Sequence, residues 1–186
     1  MSNLSHRLLV LAGPTAVGKG TVARYIIEHN PEVVLSVSAT TRSPRPGEVD
    51  GLHYFFLTDT EFDALIASGQ MLEFAVVHGK HRYGTPRGPV EAALQGGKSV
   101  LLEIDIQGAR LVKQAMPEAV TVFLAPPSWD ELVRRLQGRG TESEDEQARR
   151  LATAREELDA QHEFDHIIVN DEVAKCAARV VELMQS

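Results

Sequence analysis

The chain has 186 residues, of which 43% are hydrophobic and 24% charged, and its formal net charge is −7. This length and composition suit one well-buried α/β domain. The negative charge argues against general binding to nucleic acid or to anionic membranes, although a local basic pocket can still hold an anionic ligand. The single cysteine cannot form an internal disulfide, apolar runs stay below 18 residues, and the first residues lack the layout of a signal peptide. We therefore expect a cytoplasmic protein.

A glycine-rich segment follows the first predicted strand, residues 8–12, and precedes a helix-like run over 22–28. It consists of Gly13, Pro14, Thr15, Ala16, Val17, Gly18, Lys19, Gly20 and Thr21. Such a turn lets backbone N–H groups and a helix start converge on an anion, and Lys19 adds a full charge for the outer phosphates. The pattern predicts a nucleotide phosphate site rather than a plain glycine-rich turn. Gly20 departs from it, because a hydroxyl usually follows the lysine.

Short apolar segments alternate with helix-like segments along the rest of the chain, which predicts a parallel sheet covered by helices. The five predicted strands are 8–12, 33–37, 100–104, 120–124 and 166–169. Capping-box patterns predict a helix from Thr58 that ends at Gly69, a helix over 132–136 after Ser128, and a long charged helix from Ser143 to about Gln161.

Two segments interrupt this alternation. Residues 40–89 carry turn residues at 43–47, strand-like pieces at 54–57 and 72–77, and a turn-rich stretch at 78–88, which together indicate an inserted antiparallel subdomain. Residues 138–143 form a second irregular piece between two charged helices. Insertions that flank a phosphate-binding core favour a substrate clamp and a lid. The expected fold class is therefore α/β: a P-loop NTPase-type five-stranded parallel sheet with helices on both faces, a small mixed or antiparallel insertion, and a helical lid.

Arginines are concentrated in both insertions. Arg42 and Arg45 flank a proline in a stiff loop, which suits two guanidinium groups held towards one phosphate. As an isolated pair they would be better interpreted as solvated side chains. Five more arginines lie within seventeen residues, and a lid could deliver them to stabilise charge during phosphoryl transfer. They are Arg134, Arg135, Arg139, Arg149 and Arg150. The alternative for some of them is a helix face of Glu–Arg pairs.

Residues 40–51, which read Thr-Thr-Arg-Ser-Pro-Arg-Pro-Gly-Glu-Val-Asp-Gly, resemble the nucleoside-monophosphate-binding signature of guanylate kinases. Further segments resemble other motifs of the same family, and they follow one another in the family's order with nearly the family's spacing. These segments are 72–75, 83–85, 103–108, 126–128, 138–142 and 168–171. The resemblance extends over about residues 8 to 185. It implies transfer of the γ-phosphoryl group of Mg-ATP to GMP, giving ADP and GDP in purine nucleotide metabolism, with dGMP left open as a second acceptor.

The resemblance also implies roles for individual residues. ATP would be bound by residues 13–21 and Asn170. The phosphate of GMP would be bound by Ser38, Arg42, Arg45, Tyr54 and Tyr83. Guanine would be bound by Glu73, Thr85 and Asp105. Catalysis would depend on Lys19, Arg42, Arg135, Arg139 and Arg150. Carboxylates suit guanine because its N1–H and N2 amino groups are neighbouring donors, a pair that adenine lacks.

Three residues are candidates for water-mediated contact with Mg²⁺: Thr21, Glu103 and Asp105. Water-mediated contact is adequate because bound Mg²⁺ usually keeps several waters. The chain departs from the family pattern at Gly20, at Glu103, where aspartate is common, and in the loop 79–84, which is one residue longer than usual and leaves the placement of Tyr83 open.

The expected organisation is a core of about 1–37, 90–133 and 160–186, a GMP-binding subdomain of about 38–89 and a lid of about 134–159. ATP and GMP are the expected partners, without nucleic acid or membrane, and the oligomeric state stays open. Two alternatives use the same scaffold. A guanylate-kinase-like binding module would dock proteins, but it should lose phosphate-binding groups that this chain keeps. A kinase for another small molecule is disfavoured by Arg42, Arg45, Glu73 and Asp105 together.

Overall fold

The computed structural model describes residues 7–77, 80–137 and 144–186, with the side chains of Val77, Glu144 and Glu146 left out. The strands are β1 (Leu8–Ala12), β2 (Val33–Leu35), β3 (Ala39–Thr40), β4 (Phe55–Phe56), β5 (Met71–Val77), β6 (His81–Pro86), β7 (Ser99–Glu103), β8 (Val120–Ala125) and β9 (His166–Val169). The helices are α1 (Lys19–His29), α2 (Asp59–Ala67), α3 (Arg87–Gln95), α4 (Ile106–Ala115), α5 (Trp129–Gln137), α6 (Glu144–Asp159) and α7 (Val173–Gln185), with a 3₁₀ turn at Ala160–Glu163 after α6.

Five strands form a parallel sheet in the order β2-β7-β1-β8-β9, which confirms the five predicted strands and their parallel arrangement. The central strand β1 is buried along its whole length. One face of the sheet packs against α1 and α7, with Ile26 and Met184 in that layer, and the opposite face packs against α4 through Val112. Helices on both faces explain why these strands read as continuous apolar runs. The strand predicted over 33–37 ends early, at Leu35.

The inserted segment forms a second, mixed sheet in the order β4-β3-β6-β5. Strand β3 pairs in parallel with β4 and antiparallel with β6, and β6 pairs antiparallel with β5. The expectation of a turn-rich stretch over 78–88 is wrong for 81–88, because β6 occupies His81–Pro86 and α3 begins at Arg87, while His78 and Gly79 lie outside the described residues. Gly84 is typical of a turn, but here it lets β6 lie close to β5. A Cβ on Gly84 would lie 2.6 Å from the carbonyl oxygen of Glu73.

Two helix starts follow the predicted capping chemistry. Thr58 Oγ1 accepts the N–H of Glu61 at 3.2 Å, and Glu61 Oε2 accepts the N–H of Thr58 at 2.7 Å. Ser128 Oγ accepts the N–H of Glu131 at 3.2 Å at the start of α5. Ser143, the predicted cap of the long helix, lies outside the described residues, and that helix ends at Asp159 before the 3₁₀ turn.

The carboxyl ends of the parallel strands meet at one edge of the sheet, where ligands bind in open α/β folds. The glycine-rich segment leaves β1 at this edge, Glu103 ends β7, and Asn170 follows β9. None of the helices in the described part of the chain has the length and apolar character needed to cross a membrane.

Candidate active site

The glycine-rich segment forms a tight loop that opens onto the N-terminus of α1. Gly18 precedes the helix in the left-handed region at φ 101°, and Gly13 has φ 148°. A Cβ on Gly13 would lie 2.4 Å from the carbonyl oxygen of Leu124, so the loop follows β8 too closely for any side chain at that position. Ala16 also has a positive φ, 66°, an uncommon conformation for a residue with a side chain. The result is a strained, closely packed loop of the kind that holds phosphate.

Lys19 folds back over this loop. Its Nζ donates to the carbonyl oxygens of Gly13 at 2.6 Å and Pro14 at 3.2 Å. Burial lowers the pKa of Lys19, and the nearby carboxylates of Glu157, Glu103 and Asp105 oppose that shift. An open cleft of about 540 Å³ lies over the loop and the first turn of α1, with Glu103 on its wall. Lys19 is therefore a partly buried cation at the mouth of a loop whose geometry suits an anion.

Asn170 and Arg135 support the opposite side of the loop. The Nδ2 of buried Asn170 donates to the carbonyl oxygen of Val17 at 2.8 Å, and an Arg135 guanidinium nitrogen donates to the same oxygen at 3.1 Å. Arg135 also donates to Glu131 at 2.8 Å. A Cβ on Gly18 would lie 2.7 Å from Asn170 Nδ2. These residues line a second depression together with Thr21 and Asp171, next to the loop cleft.

Arg42 lies at the centre of the proline-rich loop. Two of its nitrogens donate to the two carboxylate oxygens of Glu48 at 2.9 Å each, and its Nε donates to the Tyr83 hydroxyl at 3.2 Å. Its guanidinium also lies 5.4 Å from the centroid of the Tyr54 ring. The hydrogen bonds from Arg42 lower the pKa of Glu48 to about 2, and Glu48 in turn raises the pKa of Arg42. This arrangement holds one guanidinium in a defined plane between two tyrosines.

Arg45 and Ser38 take different positions around this cluster. The Arg45 backbone N–H donates to Glu48 at 2.7 Å while its side chain is exposed to solvent. Ser38 is partly buried just before β3, and its carbonyl oxygen accepts the N–H of Phe55 at 2.9 Å. The structure therefore gathers Arg42, Tyr54 and Tyr83, with Arg45 extending from the loop beside them.

Two carboxylates converge around Gly108. Glu73 is buried and accepts a 2.7 Å hydrogen bond from the Thr85 hydroxyl, and Asp105 caps α4 by accepting the N–H of Gly108 at 2.7 Å. A Cβ on Gly108 would lie 3.3 Å from Asp105 Oδ1 and 3.4 Å from Glu73 Oε2. Burial raises the pKa of Glu73; the hydrogen bond from Thr85 opposes the shift and the charge of Asp105 adds to it. Together they present acceptor oxygens suited to neighbouring N–H donors.

Glu103 lies opposite the first turn of α1. A Cβ on Gly20 would lie 3.4 Å from Glu103 Oε1, and the neighbouring Thr21 is exposed in the same cleft. Desolvation raises the pKa of Glu103, and the charge of Lys19 opposes the shift. Within the described ranges, no three or more His, Cys, Asp or Glu side chains are grouped so that they could hold a metal ion. The oxygen donors of Glu103 and Thr21 fit a Mg²⁺ ion that keeps most of its water.

Three residues of this site were not among the predicted site residues. Glu48 holds Arg42, Gly108 lies close to both carboxylates, and Glu157 of α6 accepts the N–H of Thr15 at 3.2 Å. Glu48 and Gly108 lie inside motifs quoted from the sequence, but Glu157 has no local signal. Arg150 is partly buried on α6. Arg139 lies outside the described residues, as do His78 and Gly79 of the loop before Tyr83.

Known proteins resemble this chain over nearly its whole length. The guanylate kinase family model matches residues 5–186. A guanylate kinase of Leifsonia xyli is 66% identical over 95% of this chain and 70% of its own length, and one of Nocardia farcinica is 60% identical over 97% and 94%. A crystal structure of guanylate kinase from Anaplasma phagocytophilum superposes with a TM-score of 0.74 at 34% identity, covering 98% of this chain and 86% of that one. The loop, the arginine cluster and the paired carboxylates thus belong to a chain of the guanylate kinase family.

Proposed function

We propose that this chain transfers the γ-phosphoryl group of ATP to the phosphate of GMP, giving ADP and GDP. The convergence of Glu73 and Asp105 around Gly108 is the observation that carries the proposal. Guanine offers N1–H and N2 amino donors side by side, whereas adenine would leave buried carboxylate oxygens unpaired. Thr85 lies beside Glu73, and its hydroxyl can turn to donate to guanine O6.

The donor nucleotide is assigned to the glycine-rich loop. Backbone N–H groups of residues 13–21 and the start of α1 bind the ATP phosphates, and Lys19 turns from the carbonyl oxygens of Gly13 and Pro14 to the outer phosphates. Asn170 borders the adenosine side of the loop. These contacts position the γ-phosphorus for in-line attack.

The acceptor phosphate is assigned to the arginine cluster. Arg42, oriented by Glu48, and the hydroxyls of Tyr54 and Tyr83 bind it, with Arg45 reaching from the exposed side and Ser38 from the start of β3. An oxygen of the GMP phosphate forms the new bond to the γ-phosphorus while the bond from that phosphorus to the ADP oxygen breaks. The acceptor is already anionic, so the reaction needs no general base, and catalysis consists of positioning and charge stabilisation.

Positive side chains stabilise the charge that spreads over the transferred group. Lys19 supplies positive charge from the core and Arg42 supplies it from the proline-rich loop. Further positive charge comes from the α5–α6 region, through Arg135, Arg139 and Arg150. Guanylate kinases use ATP with a divalent metal ion, for which we assign Mg²⁺. Glu103, Asp105 and Thr21 would hold its water shell, and the bound ion would neutralise phosphate charge.

This assignment divides the chain by role. Residues of about 38–89 bind GMP, about 134–159 form the lid, and the remainder is the core. The lid excludes water, which would otherwise hydrolyse ATP. We also place the enzyme in the cytoplasm, because its single cysteine, Cys176, is buried in α7 and suits a reducing compartment.

A coupled assay of ADP release tests the proposal across GMP, dGMP, AMP, UMP and a sugar phosphate. We expect turnover with guanine nucleotides and rates at least about tenfold lower with the other acceptors, since mismatched bases leave buried acceptors unpaired. Preference for AMP or a sugar phosphate would indicate another kinase on the same scaffold. Absence of ADP release with every acceptor would favour a binding module.

A further inference from the structure

Glu157 approaches the phosphate loop from another part of the fold. It lies near the end of α6, and its Oε2 accepts the backbone N–H of Thr15 at 3.2 Å, across 142 residues of sequence. The side chain is only partly exposed. A carboxylate therefore contacts the exposed mouth of a loop whose geometry suits anions.

Packing beneath this contact keeps α6 against the loop. Ala16 of the loop contacts an apolar cluster that contains Ala154 and Leu158 of α6 and Trp129 of α5. Arg155 of the same helix lies 4.8 Å from the centroid of the Trp129 ring. Because these neighbours anchor the helix, the Glu157 carboxylate is held at the loop instead of extending into water.

The charges around Glu157 are those that a phosphate would meet. Its carboxylate attracts Lys19, the cation assigned to the outer phosphates, and it occupies a hydrogen bond from the loop backbone. Burial raises the pKa of Glu157, while the Thr15 hydrogen bond and Lys19 lower it. A phosphate at the outer end of the loop would therefore meet a carboxylate that already accepts the Thr15 N–H and attracts Lys19.

We infer that Glu157 is an internal substitute for phosphate: it holds the loop through Thr15, competes with the outer phosphates of ATP, and is displaced when they bind. This inference rests on the proposed function. Arg150 lies seven residues earlier on α6, which is nearly two helical turns, so it shares a face with Glu157 about 10 Å away along the axis. A bound phosphate would repel Glu157 and attract Arg150. Because both residues lie on α6, ATP binding would act on the position of this helix at two points.

Binding measurements on the full chain test the inference. Glu157→Gln keeps an oxygen that can accept the Thr15 N–H but removes the charge. Calorimetric titration of ATP and of inorganic tripolyphosphate should give dissociation constants about fivefold lower than in the wild type, because one opposing charge is gone. Glu157→Ala should show a gain at least as large, since it also releases the Thr15 N–H. Glu156→Gln, the exposed neighbour on the same helix, should change neither constant by more than about twofold.

GMP serves as an internal control, because its phosphate is assigned to Arg42. Its dissociation constant should stay within about twofold in all three variants. Unchanged or weaker ATP binding in Glu157→Gln and Glu157→Ala would overturn the inference. So would an equal gain in Glu156→Gln or for GMP, which would reflect only a general loss of negative charge. Failure of the wild type itself to bind ATP would instead refute the proposed function.

Discussion

Glu48 accepts two parallel hydrogen bonds of 2.9 Å from Arg42, and the two side chains are only 19% and 11% exposed. A bidentate pair fixes the plane as well as the position of a guanidinium. The same carboxylate accepts the backbone N–H of Arg45 at 2.7 Å, so one acidic residue closes the loop 42–48. Glu48 thus orients the arginine that is assigned to the acceptor phosphate.

The low pKa of Glu48 predicts an acid-dependent loss of stability. Its pKa falls from about 4.5 to about 2 on folding because Arg42 and the Arg45 N–H bind its charged form. A lowered pKa contributes stability that is present above pH 4.5 and lost as the pH falls towards 2. Urea midpoints of the wild type and Glu48→Gln should therefore differ most at neutral pH and converge in acid. Glu118→Gln, in an exposed turn, controls for the loss of one charge. A difference that stays constant from neutral to acid pH would contradict this role.

Lys19→Ala should abolish phosphoryl transfer and leave the fold intact. The side chain bonds only to carbonyl oxygens of its own loop among the hydrogen bonds described, so little packing depends on it. Turnover should fall by at least about a thousandfold, since the change removes a charge that acts on the transferred group. Lys98→Ala, an exposed lysine whose Nζ donates to the Pro31 carbonyl oxygen, should keep normal turnover. Near-normal turnover in Lys19→Ala, with an unchanged melting temperature, would refute the assigned role.

Glu73→Gln should lose selectivity for GMP over AMP. Glutamine can still accept the Thr85 hydrogen bond, but it replaces the other carboxylate oxygen near Gly108 with an NH₂ group. The NH₂ group is a donor and cannot accept a hydrogen bond from the guanine N–H donors. The ratio of kcat/KM for GMP to kcat/KM for AMP should therefore fall by about tenfold or more. A competition assay with both nucleotides measures this ratio. Glu91→Gln on α3, which breaks a peripheral pair with Arg87, should leave it unchanged. Equal discrimination in Glu73→Gln and the wild type would exclude base recognition by Glu73.

Gly20→Ser should lower the Mg²⁺ concentration that the enzyme needs for activity. Gly20 is helical, and a Cβ there would meet Glu103 at an ordinary contact distance of 3.4 Å, so the substitution fits. The added hydroxyl supplies an oxygen ligand that the wild-type loop lacks at this position. The Mg²⁺ concentration for half-maximal activity should fall severalfold. Gly20→Ala adds the same Cβ without the hydroxyl and should not lower it. If the two variants behave alike, the hydroxyl does not reach the ion.

Local patterns predicted the parallel sheet and the tight glycine-rich turn between β1 and α1 because each depends on consecutive residues. Strand β1 is apolar throughout since helices cover both its faces, and Gly13 meets a steric limit set by the adjacent strand β8. Strand β6 was missed because Gly84 and Pro86 suggest turns. In the folded chain, Gly84 permits close approach to β5 and Pro86 ends the strand.

Two of the site residues that sequence reasoning missed, Glu157 and Gly108, depend on tertiary packing. Glu157 belongs to a charged helix in which any of several glutamates could face the core, and the packing of Ala154 and Leu158 in the cluster beside the loop orients it towards Thr15. Gly108 acquires its role only when β5 brings Glu73 beside the start of α4. Spacing along the chain does not encode either approach.

The most direct test follows the transferred group itself. The wild-type chain is incubated with GMP, Mg²⁺ and ATP radiolabelled in its γ-phosphoryl group, and the products are separated. We predict that the label appears in the β-phosphate of GDP, with one ADP formed for each GDP and little free phosphate. Label found only in inorganic phosphate, or retained in ATP while GMP stays unchanged, would contradict the account.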